Sequence, residues 1–218
     1  MYFDQAQSAQ GFLLDNGVYA SIDFPGAIAT EAREINSPDE DGQRPEIVGD
    51  YTDQAGVIRG FVLRGSRYIS VDAPFAQNLS VTGVNREHEL VGVYNPRSAP
   101  NTNQAFKGTL NRLSQVDDPF AIGFIWFAGL NDKSESVGYV TAFNSFAGLT
   151  ITDSFQEVNN FYNGVIFGGN TFLNGINNGG WEVGNVVVQG QSWGLIQRPV
   201  QSNKHPLHKP SMMRLSMR

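Results

Sequence analysis

Gly11-Phe12-Leu13-Leu14-Asp15-Asn16-Gly17-Val18-Tyr19-Ala20-Ser21-Ile22-Asp23-Phe24-Pro25 decides the fold, because its pattern returns 49 residues later as Gly60-Phe61-Val62-Leu63-Arg64-Gly65-Ser66-Arg67-Tyr68-Ile69-Ser70-Val71-Asp72-Ala73-Pro74. Each stretch is two short apolar runs joined by a glycine turn. Asn16-Gly17 is a two-residue hairpin signal, since both positions tolerate positive φ. Pro25 and Pro74 end the second run, because proline cannot donate to a strand ladder.

Working outward, other anchors recur in the same order. An apolar residue followed by Asn ends at Asn36, Asn85, Asn131 and Asn177, spaced 49, 46 and 46 residues. Val-Gly falls at Val48-Gly49, Val91-Gly92, Val137-Gly138 and Val183-Gly184. Asp-x-Pro falls at Asp23, Asp72 and Asp117, and the fourth copy lacks it. Gly-Phe begins the first two copies, Ala105-Phe106 the third, and Ser145-Phe146 is a looser match in the fourth. Self-similarity at a period of about 46 residues is the mark of a repeat architecture.

Each copy holds four short strands with apolar alternation and no helical stripe. They are expected at 11–14, 18–23, 27–35 and 46–52; at 61–63, 68–72, 79–84 and 90–94; at 106–110, 113–117, 124–130 and 136–141; and at 149–151, 155–158, 165–176 and 181–188. Four antiparallel strands per 40–50 residues is the measure of a propeller blade. The expectation is an all-β repeat protein, a small four-bladed β-propeller, with an open β-solenoid or closed β-barrel as alternatives. Residues 1–198 form one β domain, with copies at about 11–59, 60–104, 105–145 and 146–190 and partial units at both ends. Tyr2-x-Asp4-Gln5 mirrors Tyr51-x-Asp53-Gln54, and Gln191–Gln197 resembles the start of a further copy. Residues 199–218, with Lys204, Lys209, Arg214 and Arg218, read as a disordered or extended tail.

Composition narrows the chemistry. The chain has 218 residues, 15 basic and 21 acidic side chains, a net charge of −6 and no cysteine. Disulfides and thiolate metal sites are excluded, and the acidic balance argues against a nucleic-acid partner. No apolar run is long enough for a membrane-spanning helix. The first residues lack the pattern of a signal peptide.

The combination Gly-Phe-x-Leu, Tyr-x-x-Ile-Asp-x-Pro, Gly-Ile-Asn and Ile-Val-Gly-x-Tyr-x-Asp resembles the HAF-type extracellular repeat of bacteria. It is carried by residues 11–14, 19–30, 47–56, 60–63, 68–74, 83–85, 91–94 and 175–177. Glu34 departs from it, standing where the pattern has glycine. The resemblance implies an exported or cell-surface protein of propeller type, and it brings no catalytic residues.

Candidate sites follow. The four recurrent Asn suggest a ring of amides, but an Asn at a strand end is better read as bonding its own turn and tolerating left-handed backbone. Asp23, Asp72 and Asp117 could hold a structural calcium, or could cap the turns beside them. His88, alone within the copies, reads as a solvated loop residue. The acidic clusters at Asp39-Glu40-Asp41, Asp117-Asp118 and Asp132 invite a paired-carboxylate hydrolase. The glycine-rich stretches around Gly168 and Gly179 read as turns. Aromatics crowd the second half, and Trp126, Tyr162, Trp181 and Trp193 are the candidates for a stacking platform. The leading functional expectation is a non-catalytic binding or scaffold module for a glycan or a protein. A glycan-active enzyme and a purely structural surface array are the alternatives. No cofactor is expected apart from that calcium.

Overall fold

A computed structural model describes residues 2–3, 9–38, 45–116, 123–142, 145–151 and 169–197. Among the described residues the protein is all-β, with five small antiparallel sheets, no helix and no closed barrel. Accordingly, no helix there is long and apolar enough to cross a membrane. The chain divides into two compact units, Met1–Asp117 and Asp118–Arg218.

The first unit holds three sheets. Sheet one is β1 (Tyr2–Phe3), β2 (Ala9–Asp15) and β3 (Val18–Ile22). Sheet two is β4 (Ala29–Ile35), β5 (Glu46–Thr52), β6 (Ile58–Arg64) and β7 (Arg67–Val71). Sheet three is β8 (Ala76–Val84), β9 (Leu90–Pro96), β10 (Gln104–Thr109) and β11 (Arg112–Val116). The second unit holds sheet four, β12 (Ile125–Leu130), β13 (Ser136–Ala142) and β14 (Ser145–Ile151), and sheet five, β15 (Asn170–Ile176), β16 (Glu182–Val188) and β17 (Gln191–Gln197). The strand expected at 155–158 and the start of the one expected at 165–176 lie outside the described residues, as do Asp117 and Tyr162.

Each sheet is a meander, but its phase differs from that of the sequence copies. Sheet two takes the last two strands of one copy (β4, β5) and the first two of the next (β6, β7). The partial N-terminal unit fits this phase: β1 pairs with β2 through Tyr2 and Gln10 just as β5 pairs with β6 through Tyr51 and Arg59.

One backbone device recurs in four sheets. The first strand of sheets two to five carries a bulge, between Ala32 and Glu34, Val81 and Gly83, Phe127 and Gly129, and Leu173 and Gly175. Opposite each bulge sits the glycine of a Val-Gly pair. A β-carbon on Gly49, Gly92, Gly138 or Gly184 would lie 1.9, 2.1, 1.8 or 2.0 Å from the carbonyl oxygen of Glu31, Ser80, Trp126 or Phe172. Across the next ladder the same glycines face Phe61, Phe106, Leu149 and Leu195, all buried.

Within each unit the sheets stack face to face. Sheets one and two enclose Ile22, Ile47, Tyr51, Phe61 and Leu63, with Phe24 stacked on Tyr51 at a centroid distance of 3.6 Å. Sheets two and three enclose Val48, Val62 and Val71 against Leu79, Val81 and Phe106. In the second unit Val137 of sheet four meets Leu173, Val186 and Leu195 of sheet five. Burying such side chains contributes about 1.5–3 kcal/mol each, which is what holds sheets this small together.

Gly92→Ala forces a methyl into both the Ser80 carbonyl and the Phe106 ring. It should cost at least about 2 kcal/mol and lower the melting temperature by at least about 4 °C, read by circular dichroism.

Candidate functional site

The recurrent Asn residues build the hairpin corners. The side-chain oxygens of Asn36, Asn85, Asn131 and Asn177 accept the backbone N–H of Glu46, Glu89, Glu135 and Trp181 at 2.7, 2.9, 3.0 and 3.0 Å. That much agrees with turn chemistry. The left-handed position, however, is three residues on, at His88 (φ 59°), Ser134 (φ 63°) and Gly180 (φ 75°). The side-chain nitrogens also reach beyond their own turns. Asn36 Nδ2 donates to the Asn85 carbonyl and Asn131 Nδ2 to the Asn177 carbonyl, each at 3.1 Å. A second rung repeats at the opposite end of β8 and β15: Asn78 Oδ1 accepts the Ile58 N–H at 3.1 Å, and Asn170 Oδ1 accepts the Phe146 N–H at 2.9 Å. These asparagines link sheet to sheet and are engaged in the scaffold.

Among the described residues, the acid pairs Asp53 with Asp72 and Glu31 with Asp50 are each bridged by an arginine. Arg59 lies between Asp53 and Asp72, at 2.9 and 2.7 Å. The Val57 N–H, foremost, and then Arg59 hold the Asp53 carboxyl below the usual carboxylate range. Arg33 joins Glu31, at 2.6 Å, to Asp50. Buried Glu46 takes Arg64 on one oxygen, and His88 Nδ1 lies 3.0 Å from the other. The His88 side chain is about half exposed at its turn, with Nδ1 facing that buried carboxylate. Asp72 also accepts the N–H of Ala73, at 2.8 Å, while exposed Asp23 accepts the Thr30 hydroxyl at 3.4 Å. Among the described residues no group of three or more His, Cys, Asp or Glu side chains is placed to hold a metal ion.

The aromatic side chains do converge. Trp126 and Tyr139 are cross-strand partners in sheet four, so both project from one face. Their rings are parallel within 6°, with centroids 6.1 Å apart. Tyr139 meets Phe146 edge-on at 5.8 Å and Phe172 at 5.0 Å, and the two phenylalanines lie 5.3 Å apart. All four rings are half-buried, and desolvation raises the Tyr139 phenol above its ordinary pKa. Gly148, the partner of Tyr139 across the next ladder, makes room for sheet five: a β-carbon there would lie 3.1 Å from the side chains of Leu173 and Thr171. Amides border the cluster: Asn185 is the cross-strand partner of Phe172, and it accepts a 3.1 Å hydrogen bond from Asn174. Trp181 stands at the corner before β16 and Trp193 on β17 opposite Val186, both half-buried. Of the four aromatics singled out from sequence, Trp126 belongs to the cluster. Tyr139 and Phe172 were missed, although their alternation within 136–142 and 170–176 was the available signal.

Compared with known protein families and with curated proteins, the chain matches no family model and no relative.

Among the described residues, Glu34 is a buried carboxyl without a charged partner. It occupies the position that Gly83, Gly129 and Gly175 hold beside the other bulges. Burial pushes its carboxyl up to about 8, against the opposing pull of the Val84 N–H, and Oε2 has no hydrogen-bond partner. Because the folded pKa is raised, the stability it confers is complete below about pH 4.5 and is lost as pH rises towards 8. Between those values the protein should lose on the order of 2–4 kcal/mol through this group. Thermal melts of Glu34→Gln should lack that part of the pH dependence, so the two proteins diverge most above pH 8.

Proposed function

We propose that the chain is a non-catalytic binding module, and that it takes a neutral sugar ring on the aromatic cluster around Trp126 and Tyr139. The observation that carries this is the cluster itself: four half-buried rings bordered by side-chain amides. Sugar rings present apolar C–H faces that pack on aromatic rings, with hydroxyls that amides at the border can bond. The acid pairs favour binding over hydrolysis. Glycoside hydrolysis works through two carboxyls free to reach the substrate, whereas both carboxylates of each pair here are engaged by one arginine, Arg33 or Arg59.

In this reading the stacked meander sheets are propeller blades of HAF-repeat type that leave the ring unclosed within one chain, in an exported or cell-surface protein. The repeating bulge, Val-Gly and Asn positions support it.

Screening the protein on immobilised neutral glycans should return a ligand that quenches tryptophan fluorescence. Trp126→Ala should then weaken it by about 1–2 kcal/mol, roughly 5- to 30-fold, with the far-ultraviolet spectrum unchanged. Failure to retain any neutral glycan, or retention that Trp126→Ala leaves untouched, rules the site out.

A further inference from the structure

Every stacked interface in the two units has a giving and a receiving face. The receiving face of sheet two carries Phe61, Leu63 and Tyr68, packed with Ile22 and Phe24. Phe61 is 0% and Leu63 8% exposed. Sheet one has the same face 49 residues earlier, in Phe12, Leu14 and Tyr19. The registers coincide: Phe12 opposes Ser21 as Phe61 opposes Ser70, and Leu14 opposes Tyr19 as Leu63 opposes Tyr68. Even the ring pair is preserved, with Phe12 and Tyr19 5.6 Å apart and Phe61 and Tyr68 5.8 Å apart. Yet Phe12, Leu14 and Tyr19 are 41%, 51% and 70% exposed.

The giving face shows the complementary defect. In sheet two the cross-strand pair Val48 and Val62 packs into the core shared with sheet three, and both are 0% exposed. The same cross-strand pair in sheet five is Val183 and Ile196. They are 46% and 42% exposed. One finished receiving face and one finished giving face are thus open on a single chain. They are built from the position types that mate inside the first unit.

We infer that these faces are the two halves of one interface between copies of this chain: Val183 and Ile196 of one copy dock on Phe12, Leu14 and Tyr19 of a second, head to tail. Shape argues for this occupant, because the receiving surface is already the mould of a giving face of this same sequence. Chemistry agrees, since both faces present aliphatic and aromatic carbon where interior sheets bury it. The contact is heterologous, so each copy keeps one open face of each kind and further copies can add. This inference is independent of the sugar-binding reading.

The test uses the full chain and two variants, Tyr19→Lys and Ile196→Lys, chosen at exposed positions so that folding is retained; melting curves check this. Sedimentation over a concentration series should show the wild type associating beyond a dimer. Each variant alone should associate at least about tenfold more weakly. Mixing the two should restore one contact only, giving a 1:1 heterodimer through Phe12, Leu14 and Tyr19 of the Ile196→Lys copy and Val183 and Ile196 of the Tyr19→Lys copy. A wild type that stays monomeric overturns the inference, whether the faces stay bare or are covered by residues of the same chain. So does association that Ile196→Lys leaves intact, which would mean a symmetric contact through sheet one, and so does a mixture that gives no 1:1 complex.

Discussion

A carbonyl oxygen sits where a β-carbon would be, and most of the structure depends on that exclusion. The oxygens of Glu31, Ser80, Trp126 and Phe172 occupy the space above Gly49, Gly92, Gly138 and Gly184. Only glycine admits them, and they reach it where the first strand of sheets two to five bulges. A bulge adds a residue on one side of the ladder and sharpens the local twist. Three residues beyond the bulged position comes the Asn of the hairpin corner. Its oxygen closes the turn and, at Asn36 and Asn131, its nitrogen reaches a backbone carbonyl of the adjoining sheet. Valine precedes each of these glycines, and Val48, Val91 and Val137 are fully buried. One dipeptide thus serves both faces: its valine fills one interface, and its glycine gives way to a carbonyl and a facing Phe or Leu.

Sheets of three or four strands need an apolar face to bury, and here stacking supplies that burial. The rungs add hydrogen bonds whose net value is about 1 kcal/mol each, less than the apolar burial around them. Their contribution is in fixing the distance and register at which sheets meet, since an Asn amide reaches one carbonyl and no other. Glu34 shows how far this tolerance extends. Where a β-carbon on Gly129 would lie 3.4 Å from the backbone of Gly175, a whole carboxyl is accepted beside sheet three, held by the Val84 N–H and obliged to keep its proton to higher pH.

Much of this was legible in the residues. Alternation located the strands, and Asn16-Gly17 marks a hairpin with both residues at positive φ. The period fixed which positions are equivalent. It could not fix the phase, because a repeat read along a chain has no marked beginning, and sheets form from whichever four consecutive strands pair. The Asn turn role was legible because its partners lie within ten residues, as Asn36 and Glu46 do. The rung from Asn131 to Asn177 was not, because it joins residues 46 apart in sequence. Asp72 was read as a turn or metal ligand; its bond to Ala73 is local, whereas its partner Arg59 belongs to the neighbouring strand β6. Trp126 stood out by type, while Tyr139 joined it only once register was known.

The position of Trp126 explains why a site can arise there without cost to the fold. Trp126, Glu31, Ser80 and Phe172 are equivalent, and at each the structural task belongs to the backbone carbonyl. The side chain is released from that task and is free to vary. Its cross-strand partner varies with it: Glu31 faces Asp50, Ser80 faces Val93, Trp126 faces Tyr139 and Phe172 faces Asn185. One location therefore carries an arginine-bridged acid pair in sheet two and an aromatic pair in sheet four, with the same backbone beneath. Residues at the recurring positions are committed to turns and packing, so a binding site of the proposed kind would use positions where the backbone carries the load. Among the described residues, Trp126 and Phe172 meet that condition in side chains suited to stacking.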